Sequence, residues 1–393
     1  MCLFAITVFS DLCLNYNDLI ILTDDGCILA GISVIIFKIF NFQLRSKRIK
    51  SLIKAVHTPV VTLNQCSDQR VRVLIQTCSF YEKILLYGFW AVGAILSVAL
   101  ILLVPVEEGA LPIRAQYPFS VRTFPLHQIA FSLQASAVSI GLVSIIGMDT
   151  IVIGLYKWTN LQLVILNANY ANCLKSKNKR ATLIWEKLPM RTIGGTASKP
   201  SIEEPVNQIT CFIPFNVKEA ANTDGDTFIR RFKTCIKHHQ RLINCVDELN
   251  EIFGISMLVQ LFASFSMICF TGFQAVLGAK NLSSLLKFGV YLGAAFSQLL
   301  NWCWNGNSLK YQSASLPTSQ WLSGWEHEYS PQVISLMIIS LMCSKKSLGL
   351  KAGKFYTMSM ETFIAILRSS YSFFALLTKM NEAKSGYESH IEP

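Results

Sequence analysis

The stretch that decides the fold is Ile84–Val106, ILLYGFWAVGAILSVALILLVPV, a run with no charged residue that begins just after Glu82 and Lys83. Crossing about 30 Å of hydrocarbon takes roughly 20 apolar residues in a helix, because every backbone polar group must then be satisfied within the segment. Working outward, Ile252–Ala279 and Phe288–Ser308 carry no charge either, and Phe124–Tyr156 carries only Asp149 besides His127. Two weaker runs, Leu22–Phe42 with Asp24, Asp25 and Lys38, and Phe355–Thr378 with Glu361 and Arg368, have charges that suit protein-facing or pore-facing sides. Met1–Tyr16 is apolar but short, lacks the basic start and small-residue cleavage site of a signal peptide, and is read as a shortened first span. The sequence therefore predicts an all-α integral membrane protein with seven transmembrane helices.

Composition agrees. Hydrophobic residues make up 52% of the 393 and charged ones only 15%, which sets the chain apart from soluble domains. The formal charge of +11 is spread over stretches between apolar runs, so no nucleic-acid partner is expected and the bilayer is the expected surrounding. Lysine and arginine number eight in 44–83, fourteen in 157–250 and five in 307–354, whereas the alternate connections are nearly bare. Because basic residues in short loops stay cytoplasmic, the amino terminus is expected inside and the carboxyl terminus outside. That orientation is the reverse of a G-protein-coupled receptor, whose Asp-Arg-Tyr and Asn-Pro-x-x-Tyr signatures are also missing.

The organisation follows: 1–157 for transmembrane helices one to four, 158–250 for a long cytoplasmic loop leading into helix five, 251–308 for helices five and six, 309–354 for a cytoplasmic anchor segment, and 355–393 for helix seven and a short extracellular tail. Val333–Met342 is too short to cross and reads as a membrane-proximal helix, while Lys175–Asp226, with Gly194-Gly195 and scattered prolines, reads as a loosely held loop. The twelve cysteines lie mostly in apolar runs or basic loops and are expected to be free thiols. No cysteine and histidine grouping has zinc spacing, and the adjacent His238-His239 cannot face one metal as an i,i+4 pair can, so neither metal nor cofactor is expected. Only Asp149, Glu361 and Arg368 lie well inside spans, too few for an intramembrane enzyme or a proton-coupled carrier, so no catalytic residue is assigned. Asp149 is read as an inner-vestibule or packing residue. Pairing of Glu361 with Arg368, seven residues apart, would have to bridge about 10 Å along the helix. Asn281-Leu282-Ser283 is a glycosylation sequon so close to both spans that it is expected to stay unused.

The carboxyl-terminal third carries a specific resemblance. GNSLKYQSASLPTSQWL from Gly306, the methionine-rich segment ending in Lys345-Lys346, Ala352-Gly353-Lys354-Phe355 and Ser370-Tyr371-Ser372 together resemble the terminal region of insect odorant receptors. Tyr117-Pro118-Phe119 followed by Pro125, and Cys235–Phe253 with its histidine pair, are similar to the family's second outer loop and its entry into helix five. Related gustatory receptors end in Thr-Tyr followed by Gln-Phe, and this chain has Ser370-Tyr371 with no such Gln-Phe.

The resemblance implies a ligand-binding subunit of an odorant-gated, non-selective cation channel, assembled with a co-receptor as a heterotetramer in the plasma membrane of an olfactory sensory neuron dendrite. It implies that a small volatile odorant binds within the outer halves of helices two to five. There the candidate residues are Ile28, Gly31 and Ile32, then Gly93, Ser97 and Leu100, then Gln134 and Val138, then Met267, Phe270 and Phe273. As a bland alternative, these side chains simply pack helices together. Matching Tyr371 to the family's terminal tyrosine implies a pore constriction at Phe374 with Thr378 one turn further on, gating by dewetting. The short start leaves a non-functional truncated receptor form as a further alternative to the G-protein-coupled and gustatory readings.

Overall fold

The computed structural model describes residues 1–16, 18–65, 68–102, 111, 113–119, 121, 125–174, 209, 211–215, 227–277, 282–328 and 330–389. Among them run α1 (Cys2–Leu14), α2 (Leu19–Leu44), α3 (Ser46–Asn64), α4 (Gln69–Leu102), α5 (Leu126–Ala171), α6 (Phe228–Leu277), α7 (Leu282–Ala314), α8 (Leu316–Trp321), α9 (Pro331–Ser344) and α10 (Met360–Ser389). A two-stranded antiparallel hairpin, β1 (Lys351–Ala352) and β2 (Tyr356–Thr357), precedes α10. Local chemistry sets several starts. The Asp18 carboxylate accepts from Ile20 N to cap α2, and the Ser330 hydroxyl accepts from Val333 N at the start of α9, where Pro331 occupies the first turn.

Within the described residues, Leu19–Leu44, Leu126–Ala171, Phe228–Leu277 and Met360–Ala383 are each long and apolar enough to cross a membrane. The apolar run from Ile84 falls in α4 as far as Leu102 and the run from Phe288 lies within α7, helices of 34 and 33 residues. The 13-residue α1 packs on α2 with Phe4 and Val8 buried.

The expected loop over 158–250 is corrected. Residues 158–171 continue α5 and residues 228–250 open α6, making helices of 46 and 50 residues. At 1.5 Å per residue these are about 70 Å and 75 Å long, more than twice the ~30 Å hydrocarbon thickness. The charges that suggested a loop decorate helix that continues past any bilayer. In this extension lies the larger core, where α3, the second half of α5, the first half of α6, α8, α9 and the hairpin bury Leu52, Tyr156, Leu163, Tyr170, Phe232, Leu249 and Leu316.

Buried asparagine and glutamine side chains knit that core together. Gln162 donates to Val56 O at 3.0 Å, Asn167 to Gln312 O at 2.9 Å and Asn172 to Ile209 O at 3.0 Å. Asn169 makes both bonds of a strand pair with Ile213, donating to its carbonyl and accepting from its amide, each at 2.8 Å. Leaving any of these amides unpaired in such a core would cost roughly 1 to 3 kcal/mol.

The seventh span begins later than expected. Phe355 sits in the hairpin turn, where Gly353 takes φ of 63°, and the helix starts only at Met360, with the Ser359 hydroxyl accepting from Thr362 N. Two glycines let the hairpin dock. Gly353 N donates to Gly254 O at 2.7 Å, and a Cβ on Gly306 would lie 2.3 Å from the Met358 carbonyl oxygen. The Gly306-Asn307 motif thus marks where α7 passes directly against the backbone of the strand-to-helix junction.

Glu361 pairs with Lys310 of α7 at 3.4 Å, not with Arg368 on its own helix. Facing α7 rather than its own helix, Glu361 reaches a lysine across one interhelical gap instead of two turns of axis. The eleven described cysteines are all free thiols. Asn281 lies outside the described residues, as does Lys175–Asp226 apart from residues 209 and 211–215.

Candidate functional site

Beside a smaller buried cluster that includes Phe4, Cys27, Ile32 and Tyr291, helices α1, α2, α4, α5, α6 and α7 line a cavity of about 220 Å³. Its walls are almost wholly apolar: Cys27, Ile28, Gly31, Ile32 and Ile35 from α2, Phe89, Val92 and Gly93 from α4, Ala137, Val138, Gly141, Leu142 and Ile146 from α5, and Ala263 and Met267 from α6. Tyr291, Ala294 and Ala295 of α7 complete the ring. Small residues make the space. A Cβ on Gly93 would meet Ile146 Cδ1 at 2.8 Å, and one on Gly141 would meet the side chains of Met1 and Ile35 at 3.2 and 3.3 Å.

The roof is built from α1 and the connection between α4 and α5, through Met1, Phe4 and Ile113. Gln134, buried on α5, holds Ile113 at both backbone atoms, donating to its carbonyl at 2.7 Å and accepting from its amide at 3.2 Å. Arg114 beside it pairs with Asp11 of α1 at 2.8 Å, and Gln116 N donates to Thr7 O at 3.2 Å.

The floor is polar. Lys38 of α2 and Asp149 of α5 meet at 2.5 Å with side chains only 6% and 5% exposed. Gln298 of α7 donates to the second Asp149 oxygen at 2.6 Å, and Gln260 of α6 donates to Gln298 Oε1 and to Ser264 Oγ, both at 3.2 Å. The ammonium also lies 5.6 Å from the Trp302 ring centre, within cation–π range. Charge so deep among apolar helices is tolerated only when paired and hydrogen-bonded, and here both carboxylate oxygens are. Below this layer a second cavity of about 20 Å³, lined also by Lys38, shares Asp149 and Gln260 with the larger one.

Of the residues singled out from sequence, Ile28, Gly31, Ile32, Gly93, Val138 and Met267 come together on this cavity. Gln134 is the roof clasp rather than a wall. The Ser97 hydroxyl donates to Gly93 O within its own helix at 3.0 Å. Phe270 presses on Gly26, 3.1 Å from where a Cβ would stand, and Phe273 is buried away from the cavity. The side chain of Leu100 lies outside those described. Sequence reasoning missed the whole contribution of α1 and α7 and the polar floor. Lys38 and Asp149 were visible as lone charges in apolar runs, but nothing in one sequence joined them.

On α10, Phe374 is half-buried 3.8 Å from the place of a Cβ on Gly272 of α6, and the Thr378 hydroxyl donates to Phe374 O at 3.1 Å. The helix is poorly covered by the rest of the chain: Tyr371 is 70% exposed, and Arg368, Leu376 and Met380 are exposed as well. No group of three potential metal ligands occurs among the described residues. In the larger core, His238 stacks on Phe215 with ring centres 3.6 Å apart, and burial pushes its pKa down to about 3, with Arg241 and His239 adding to the effect.

Comparison with known proteins gives a consistent answer. The family model described as 7tm Odorant receptor matches residues 20–371. Odorant receptor 13a of Drosophila melanogaster is 31% identical over 161 residues, 38% of this chain and 38% of that protein, so the matched part spans well under half of that relative. Odorant receptor 47b of the same fly is 23% identical over 366 residues, covering 90% of this chain and 76% of its own. The structure of the insect olfactory receptor OR5 from Machilis hrabei in complex with eugenol superposes with a TM-score of 0.74 at 12% identity, covering 96% of this chain and 88% of that one.

Proposed function

The chain belongs to the 7tm odorant receptor family, and on that premise we propose that it is the odorant-binding subunit of a ligand-gated, non-selective cation channel. The observation that carries the reading is the cavity, an apolar space of about 220 Å³ lined by six helices, of the kind that buries a small volatile molecule by excluding its apolar surface from water. The superposable OR5 of Machilis hrabei was solved with eugenol, a small aromatic molecule of that class.

The remaining parts fit one scheme. The basic loops keep the larger core and both long helical extensions on the cytoplasmic side, and the cavity then lies in the outer half of the membrane. The open face of α10, with Tyr371 and Leu376, turns toward neighbouring subunits and a central axis, and Phe374 and Thr378 stand at its constriction. The co-receptor supplies the remaining subunits of the heterotetramer, in the plasma membrane of the sensory dendrite.

Whole-cell recording from cells expressing this chain with and without an insect odorant co-receptor tests the reading. Inward cation current evoked by volatile alcohols, esters, aldehydes or aromatics only when both chains are present is the expected result. No current despite surface expression of both chains would overturn it.

A further inference from the structure

The polar floor has a direction. Asp149 is held as an acceptor by Lys38, so Gln298 must turn its NH₂ toward the carboxylate and its oxygen toward Gln260. Gln260 must in turn offer its own NH₂ to that oxygen, and it does, at 3.2 Å, with Ser264 Oγ taking the second bond. The orientation of both amides is thereby fixed by the charge at the end of the chain and not by a choice between nitrogen and oxygen in the side chain. What is left over is Gln260 Oε1, which is buried and has no hydrogen-bond partner among the described residues, on a residue only 4% exposed that lines both the cavity and the smaller one below it.

We propose that Gln260 Oε1 is the hydrogen-bond acceptor for a ligand hydroxyl, so that this receptor takes compact alcohols or phenols in preference to ethers and hydrocarbons of the same size. The inference rests on the cavity being the odorant site. An ether oxygen offers no proton and would face Gln260 Oε1 lone pair to lone pair, leaving a buried acceptor unmet. The rest of the wall is apolar and indifferent to the difference between the two. Tyr291, whose hydroxyl also lacks a partner among the described residues, stands two turns of α7 from Gln298, so the far end of the cavity can hydrogen-bond a second polar group. Scaled from the ~150 Å³ cavity that holds one benzene ring, the volume suits roughly nine non-hydrogen atoms.

Isomeric pairs of that size isolate the hydroxyl: 1-octanol against 1-methoxyheptane, and 2-phenylethanol against benzyl methyl ether. Binding to the purified full-length chain in detergent is followed by the shift of thermal unfolding, and current is recorded in cells with the co-receptor. In each pair the alcohol is expected to bind at least about tenfold more tightly, and Gln260→Leu to bring the ratio close to one. An ether that binds as well as its alcohol overturns the inference, as it would if a water in the smaller cavity already satisfied Gln260 Oε1. Failure of both alcohols to bind overturns it too, and so does an undiminished alcohol preference in Gln260→Leu. The unmodified chain decides the matter even if that variant does not fold. Alcohol-selective binding without current would sink the channel reading alone, whereas currents evoked equally by alcohols and ethers would sink this inference alone.

Discussion

Lys38 and Asp149, 111 positions apart in sequence, meet at 2.5 Å beneath the cavity and join α2 to α5 with side chains only 6% and 5% exposed. Removing either partner leaves the other without its counter-charge, at an expected cost of roughly 3 to 5 kcal/mol. Lys38→Met and Asp149→Leu should each lower the thermal stability of the detergent-purified protein sharply. The double variant should recover most of the loss. A double variant no better than the sum of the singles would show that the two act independently.

Gln134 is the only side chain on the described residues bonded to both backbone atoms of Ile113. Replacing it by leucine strands a buried amide and carbonyl, a cost of roughly 1 to 3 kcal/mol, and should loosen the roof without touching the cavity walls. Hydrogen exchange at 113–117 is expected to quicken and bound ligand to dissociate faster. Unchanged exchange there would assign Gln134 to helix packing alone.

The hairpin junction distinguishes two glycines. A Cβ at Gly306 would stand 2.3 Å from the Met358 carbonyl oxygen, while one at Gly254 would meet Lys351 O at 3.4 Å, an ordinary contact. Gly306→Ala should cost at least about 3 kcal/mol by forcing α7 away from the α10 start, and Gly254→Ala should be tolerated. Comparing surface expression and thermal midpoints of the two variants checks this, and equal effects would count against it.

His238 gives the larger core a pH dependence of known sign. Its pKa is pushed from 6.5 to about 3, so the folded chain keeps it neutral over a range in which the unfolded chain takes up a proton. Stability is complete above about 6.5 and falls as pH drops toward 3, by at most about 1.4 kcal/mol per pH unit. His239, also lowered by burial, acts in the same direction. Thermal midpoints of the detergent-purified protein between pH 7 and pH 4 should trace this slope, and His238→Phe, which can keep the stack on Phe215, should flatten it to what His239 leaves.

Much of this architecture was legible because lipid imposes a simple code. Uncharged runs such as Phe288–Ser308 had to be helices, and the short apolar run 333–342 was helical but too short to cross, as α9 is. The continuation of α5 and α6 beyond any bilayer was hidden by their charges, since a solvated helix and a basic loop share a composition. Six of the cavity residues could be chosen because the resemblance to odorant receptors points to the outer halves of helices two to five. The floor could not. Gln260 and Gln298 look like any polar residues in a span, and only the fold shows that Lys38 and Asp149 orient them.

The Asn169 and Asn172 side chains have one more consequence. By binding Ile213 and Ile209 as a neighbouring strand would, they fix the register of these two residues from the helix side, without reference to the chain that leads there. Doubling the length of a connecting segment costs only about 0.6 kcal/mol of closure entropy. Evolution is thereby free to lengthen or shorten the stretch between 174 and 209 while the receptor keeps its shape, which makes this stretch a place where lineages can diverge at almost no structural penalty.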